Sequence, residues 1–266
     1  MPGPAEKRRV LIVVRTYPTP ATSGVEVSCT AAITEKREWM RLYPIPWRFL
    51  TPDKRFRKYQ WIEASVRRAT NDARPESFRL DVDSITIITK PMPTDNNWEA
   101  RKRFILPLRA QSLCDLQKKR DADGFPTLGF VRPKQITRLT IKPTRPTWTS
   151  GELAKLRQEN LFQKAPTEEL EKVPFDFVYN FVCEHSACGG HEMKCTDWEM
   201  GESWRRWRDK YGEKKWEAKF RQRYENEMSL RNDTHFYVGT VHQHPGSWIV
   251  VGLFYPRKAT ATTTLF

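Results

Sequence analysis

The chain has 266 residues, long enough for one large domain or two small ones with a real apolar core. Hydrophobic residues make up 38% and aromatic residues 12%, which excludes a chain disordered throughout, and no apolar run approaches the roughly 20 residues needed to span a bilayer as a helix. Lys and Arg number 46 against 32 Asp and Glu, a formal net charge of +14, which points to a polyanionic partner rather than to an ordinary acidic enzyme.

The opening MPGPAEKRR is followed by only a short apolar stretch at residues 10–14 (VLIVV). That is the length of a buried strand, not of a signal-peptide core, so a cytoplasmic protein is expected. Residues 25–33 (VEVSCTAAI) and 38–45 (EWMRLYPI) read as two more strands. Pro18, Pro20 and Gly24 punctuate the first connection, and Pro44 and Pro46 close the third strand because proline cannot donate to a ladder. Residues 59–67 (YQWIEASVR) fit either a strand or a short helix. Residues 80–89 alternate as a strand does, and residues 97–119 place Trp98, Phe104, Leu108 and Leu113 near helical spacing. Residues 128–131 and 136–141 complete a series of short strands whose spacing suggests a small barrel.

Pro143, Pro146 and Thr149-Ser150-Gly151 mark a boundary. Beyond it, a short helix is expected at 153–162 and a strand at 173–182 (VPFDFVYNFV). A long charged helix at 197–230, with a break at Gly212, precedes two closing strands at 236–241 and 248–255 joined through Gly246. The sequence therefore divides into a basic barrel domain (1–148), a Cys/His-containing α+β domain (149–258) and a frayed tail (259–266). The fold class is α+β with strands dominant. Residues 1–150 carry 29 Lys and Arg against 15 Asp and Glu, whereas residues 151–266 carry 17 of each, so the whole surplus precedes the boundary.

Cys183, Cys188 and Cys195 lie within 13 residues, interleaved with His185 and His191. Zinc takes four nitrogen or sulfur ligands in a tetrahedron, and Gly189 and Gly190 allow the tight turn between them. The best quartet is Cys183, Cys188, His191 and Cys195, holding a structural Zn2+, with His185 to spare. Cys29 and Cys114 stand alone and read as core residues.

No phosphate-cradling glycine loop, Walker element or G-x-S-x-G element occurs, so the sequence supplies no secure reaction. The weak catalytic candidates are His242 and His244, placed on one face by strand alternation, with Asp197 and Glu199. Thr196-Asp197-Trp198-Glu199 reads more readily as a capping box at a helix start. The helix after it spaces Trp204, Trp207 and Tyr211, then Trp216, Phe220 and Tyr224, as a stripe facing a core. In the basic part, Arg41, Arg48, Arg55, Arg57 and Lys58 are suited to phosphates. The rings of Tyr43, Trp47, Tyr59 and Trp61 are suited to stacking on bases. Core packing competes for Trp47 and Trp61, and an ion pair with Glu26, Glu38 or Glu63 competes for Arg41 and Arg48.

The segments VEVSCTAAI (25–33), EWMRLYPIPWRFL (38–50), KYQWIE (58–63), DARPESFR (72–79), LGFVRP (128–133), CEHSACGGHEMKCTDWE (183–199) and GSWIVVGLFYP (246–256) resemble an uncharacterised group of bacterial proteins. The first block also resembles modules described as OB-like. These likenesses imply a dual OB-like barrel and a place in mobile or antiviral-defence gene neighbourhoods, and they transfer no catalytic residue. The expected function is nucleic-acid binding, DNA or RNA, through the basic aromatic surface, with no membrane association. Two competing readings are a metal-dependent nuclease using His242 and His244, and an interaction subunit that docks a protein partner.

Overall fold

The apolar run at residues 10–14 is unbroken because it serves two cores at once. In a strand, successive side chains point to opposite faces. In β1 (Glu6–Arg15), Val10 and Ile12 enter one apolar core while Leu11, Val13 and Val14 enter another. The same division recurs in β3 (Glu26–Thr34), where Ala32 faces the first core and Ala31 and Ile33 the second. The computed structural model describes residues 4–21, 26–157 and 168–259.

β1, β3, β4 (Trp39–Ile45), β6 (Ser77–Leu80) and β5 (Trp61–Arg68) pair in that order, and β5 pairs back to β1, closing a five-stranded barrel. Two short strands flank it: β2 (Thr19–Pro20) on β3 and β7 (Thr86–Ile87) on β5. The barrel is filled by Ile12, Met40, Leu42, Phe56, Ile62, Val66 and neighbouring side chains. The ambiguous segment at 59–67 is thus a strand. The strand expected at 80–89 is broken, because the Asp81 side chain accepts from the Asp83 backbone N–H and caps a single 3-10 turn. The helix expected at 97–119 is two. The first is α1 (Asp95–Ile105). After a 3-10 turn around Pro107, Ser112 caps α2 (Leu113–Asp123) by accepting from the Asp115 N–H at 3.0 Å.

A second sheet has the order β8 (Leu128–Val131), β12 (His235–Thr240), β13 (Trp248–Phe254), β11 (His191–Cys195), β10 (Phe175–Cys183) and β9 (Pro133–Pro143). β8 and β9, placed before the expected boundary at 148, belong to this sheet. Their partners, β12 and β10, lie far along the chain, and no local pattern names them. α3 (Ser150–Arg157) covers the start of the helix expected at 153–162; residues 158–162 lie outside the described part. So do Gly24, Val25 and residues 260–266 of the expected tail.

The long helix breaks where expected. α4 (Trp198–Tyr211) ends at Gly212, whose φ of 81° lies in the left-handed region that glycine adopts freely, and α5 (Trp216–Arg221) runs on into a π-helical segment at Gln222–Arg231. Trp204, Trp216, Phe220 and Tyr224 are buried against Phe177, Tyr179 and Phe236 of the second sheet. Trp207 is partly buried and Tyr211 is exposed.

The barrel packs on the other face of that sheet, where Leu11, Ile33 and Tyr59 meet Phe130, Tyr237 and Phe254. Polar contacts fix the seam. The Arg15 guanidinium sits between the Trp47 and Trp198 rings, 3.6 and 3.8 Å from their centroids. The buried Asp197 carboxylate accepts from the Glu199 N–H at the start of α4, from the Leu253 N–H of β13 and from Lys58 Nζ of the barrel at 3.2 Å. Gly252 makes this approach feasible: a Cβ there would lie 2.8 Å from Val14 and 3.3 Å from Asp197 Oδ2. Burial alone would pull the Lys58 ammonium down, but Asp197 and Glu199 push it well above its ordinary value. Replacing Lys58 with Met leaves a buried carboxylate without its counter-charge. The expected loss is about 3–5 kcal/mol of unfolding free energy, read from urea denaturation. A loss below about 1 kcal/mol would show that the pair does not hold the seam.

Candidate functional site

The end of β10, the start of β11 and the turn between them bring Cys183, His191 and Cys188 together, and α2 adds Cys114. The four ligand atoms all lie within 4.8 Å of one another. Cys114 Sγ and Cys188 Sγ stand 3.5 and 3.3 Å from His191 Nε2, and Cys183 Sγ stands 3.5 Å from Cys114 Sγ. A tetrahedral ion with bonds of about 2.3 Å has ligand–ligand edges of about 3.8 Å, so the group could bind a metal with small adjustments. Backbone N–H groups brace the turn: Cys183 N donates to Cys188 Sγ at 3.3 Å, and Cys188 N donates to the His185 carbonyl at 3.1 Å.

Titration behaviour agrees with this use. Burial works to raise the Cys183 thiol, but hydrogen bonds to the Cys114 backbone and the His191 ring outweigh it and bring it to about 6. Burial, followed by its cysteine neighbours, pushes Cys114 up to about 12. One thiolate forms readily and further ones need a cation to offset them.

The quartet differs from the expected one in one member. Cys195 ends β11, four residues beyond His191, and at about 3.3 Å per residue it stands some 13 Å along the strand from that ligand. It is buried instead near Asp197, and burial raises its thiol. Cys114, read as a core residue, takes its place. It is 69 residues from Cys183, so only the packing of α2 reveals it. His185 lies outside this group: its Nδ1 accepts from the Ala187 N–H at 3.1 Å and its Nε2 lies 3.3 Å from Lys118 Nζ.

The residues expected to bind nucleic acid do not share one open surface. Arg41 is 3% exposed and donates to Ser77 Oγ, Thr127 Oγ1 and the Thr127 carbonyl. Tyr59 is buried with its hydroxyl 3.5 Å from that of Tyr237. The Trp47 ring is held by Arg15 while its Nε1 donates to the Phe56 carbonyl, and Trp61 packs edge-on against Phe104. Arg48 pairs with Glu26 at 2.8 Å, and Lys58 is committed to Asp197 and Glu199. The reason is common to most of them: the loop from 47 to 61 forms the seam with the second sheet, and seams bury rings. Tyr43, Arg55 and Arg57 remain exposed. The cationic surplus is not the barrel's alone either, because residues 109–148 carry nine Lys and Arg against three Asp and Glu.

The catalytic candidates do not converge. Asp197 is the helix cap, with its carboxylate fully engaged, and Thr196, expected as the cap, lies next to the Val250 carbonyl instead. Glu199 accepts from Lys58 and from the Tyr255 hydroxyl. His242 and His244 lie beyond the end of β12, on the exposed turn before β13, so strand alternation does not align them. His242 Nδ1 instead stands 3.5 Å from Asp72 Oδ1 of the barrel. Burial tends to raise the Asp72 carboxyl, but hydrogen bonds from Arg74 and Ser77 win and hold it well below the usual carboxylate range.

Residues 109–266 match a domain of unknown function (DUF8757), and residues 6–107 match a second domain of unknown function (DUF8758). A search of the curated proteins finds no match. Among solved structures, the chain is similar to a murine DNA binding protein bound with ds DNA, at 10% identity and a TM-score of 0.33, over 97% of this chain and 99% of that one.

Two outcomes follow from this geometry. After a chelator challenge, Cys114→Ser should retain almost no zinc while Cys195→Ser retains about one ion per chain, measured by elemental analysis; the reverse pattern would restore the quartet read from sequence. Asp72, with its folded pKa depressed, adds stability above the ordinary carboxylate range and loses it as pH falls through and below that range. Asp72→Asn should therefore shrink the fall in thermal midpoint between about pH 6 and pH 3. An unchanged pH profile would remove Asp72 from the acid response.

Proposed function

The chain belongs to the family of the domain of unknown function DUF8757, and we propose that it is a nucleic-acid-binding protein whose C-terminal sheet is stapled by a structural zinc ion. The donor set supports zinc: three thiols and one imidazole suit a tetrahedral d10 ion, and four protein ligands leave no open position for chemistry. The ion would tie α2 to the β10–β11 hairpin.

One observation carries the binding reading. In β5 and β6 the side chains of Ile62, Ala64, Val66 and Leu80 fill the barrel, so Arg67 and Arg79 point outward. The two arginines stand at directly opposite register positions, and among the described residues neither has a carboxylate within ion-pair distance. Like charges placed opposite one another on a sheet repel. A phosphate backbone supplies the missing counter-charge and releases condensed cations as it docks. Lys7 and Arg9 of β1 lie across the same face of β5, opposite Ser65 and Glu63, but each is answered by a carboxylate, Lys7 by Glu63 at 2.6 Å and Arg9 by Glu35 at 3.3 Å, so Arg67 and Arg79 carry the unanswered charge. Arg55 and Arg57, exposed in the loop before β5, add further contacts.

The test is binding of labelled single- and double-stranded DNA and RNA by fluorescence anisotropy across a salt series. The wild-type chain should bind at about 50 mM salt with a steep salt dependence. The Arg67→Ala, Arg79→Ala double variant should lower the slope of log K against log salt by roughly one to two units at unchanged thermal midpoint. An unchanged slope, or no binding by the wild type, would overturn the proposal.

A further inference from the structure

A cleft of about 720 Å³ opens between the barrel and the second sheet. Arg41, Tyr43, Asp72 and Arg74 line it from the barrel, and Lys194 and His242 from the other side. Its volume lies within the range of small-molecule sites.

The charges around it do not balance. Arg74 is answered by Asp72 at 2.6 Å, and Lys194 by Asp176 at 2.6 Å. Arg41 is the most deeply buried of the three, and its donors reach only neutral acceptors on Ser77 and Thr127. No carboxylate lies within ion-pair distance of it among the described residues. The Glu76 carboxylate is taken up by the Thr127 N–H and hydroxyl. A guanidinium out of water without a counter-charge is costly, and proteins seldom retain one unless an anion completes it. Burial lowers the Arg41 pKa and the neighbouring Arg74 adds to the lowering, against the pull of Cys29, Glu76 and Asp72.

The body of the ligand is indicated by the walls. Tyr43 lines the cleft yet is 46% exposed, an aromatic ring that the fold leaves uncovered. Tyr17 and Phe78 also line the cleft, so flat apolar surface accompanies the buried cation. Stacking on a ring combined with charge-assisted hydrogen bonds to an oxyanion is the chemistry that recognises a nucleotide.

We infer that this cleft binds a mononucleotide, with its phosphate directed to the buried Arg41 and its base against Tyr43. The site is separate from the outer barrel face that carries Arg67 and Arg79, so either reading can fail without the other.

Isothermal titration calorimetry of the full chain with the four nucleoside 5′-monophosphates, and with inorganic phosphate alone, tests the inference. At least one mononucleotide should bind with a Kd below about 1 mM, and inorganic phosphate at least about tenfold more weakly. Arg41→Gln should abolish binding. Because a buried substitution can also unfold the chain, Tyr43→Ala provides the decisive variant: at an exposed position it should weaken the mononucleotide about tenfold or more with the thermal midpoint unchanged. The Arg67→Ala, Arg79→Ala variant should bind the mononucleotide as the wild type does. Failure of every mononucleotide to bind, affinity equal to that of inorganic phosphate, or an unchanged Kd in Tyr43→Ala would overturn the inference.

Discussion

The buried carboxylate of Asp197 is the point through which the two sheets are joined. A carboxylate removed from water must have its oxygens satisfied, and here three different elements do so: the first turn of α4, the backbone of β13 and the barrel lysine Lys58. One side chain therefore caps a helix, fixes its angle to the sheet and receives the barrel. The stack of Trp47, Arg15 and Trp198 beside it extends the same seam with rings and a cation. The close passage of Val14 over Gly252 admits no side chain at that glycine. These contacts explain why a chain with such a large surplus of cations keeps several of them inside.

That arrangement bears on where a polyanion can bind. Rings and arginines near one another in sequence suggest a groove, but the same composition builds a seam between two units, where aromatic rings supply area and guanidinium groups stack on them. Once the seam has taken Arg15, Trp47, Lys58 and Tyr59, the cations with no carboxylate within ion-pair distance among the described residues include Arg67 and Arg79 on the barrel's outward strand positions and Lys119, Lys134 and Arg138 in the segment from 109 to 148. The polyanion reading thus rests on like charges the fold leaves unanswered, and the residues that bear them differ from those picked out by local composition.

The barrel strands were legible where the apolar pattern was strong. β1, β3 and β4 follow from runs and alternation, and the β10 strand and the Gly212 break in the long helix follow in the same way. Less legible were features that depend on distant partners. The stretch at 97–119 has helical spacing throughout, but the Pro107 turn and the Ser112 cap divide it. β8 and β9 look like barrel strands because strand propensity does not say which sheet a strand joins. The Cys/His group that could hold a metal was legible in three of its four members, Cys183, Cys188 and His191, which share one hairpin. Cys195 sits within the same short stretch but is carried away by the rise of the strand, and Cys114 approaches only through α2.

The Cys/His group is where sequence and fold meet, since it brings helix α2 against the sheet on which the barrel rests. Zinc-edge X-ray absorption spectroscopy of the purified chain tests it most directly. The account predicts three sulfur neighbours at about 2.3 Å and one nitrogen at about 2.0–2.1 Å. Four sulfurs, a shell dominated by oxygen, or the absence of bound zinc would contradict it.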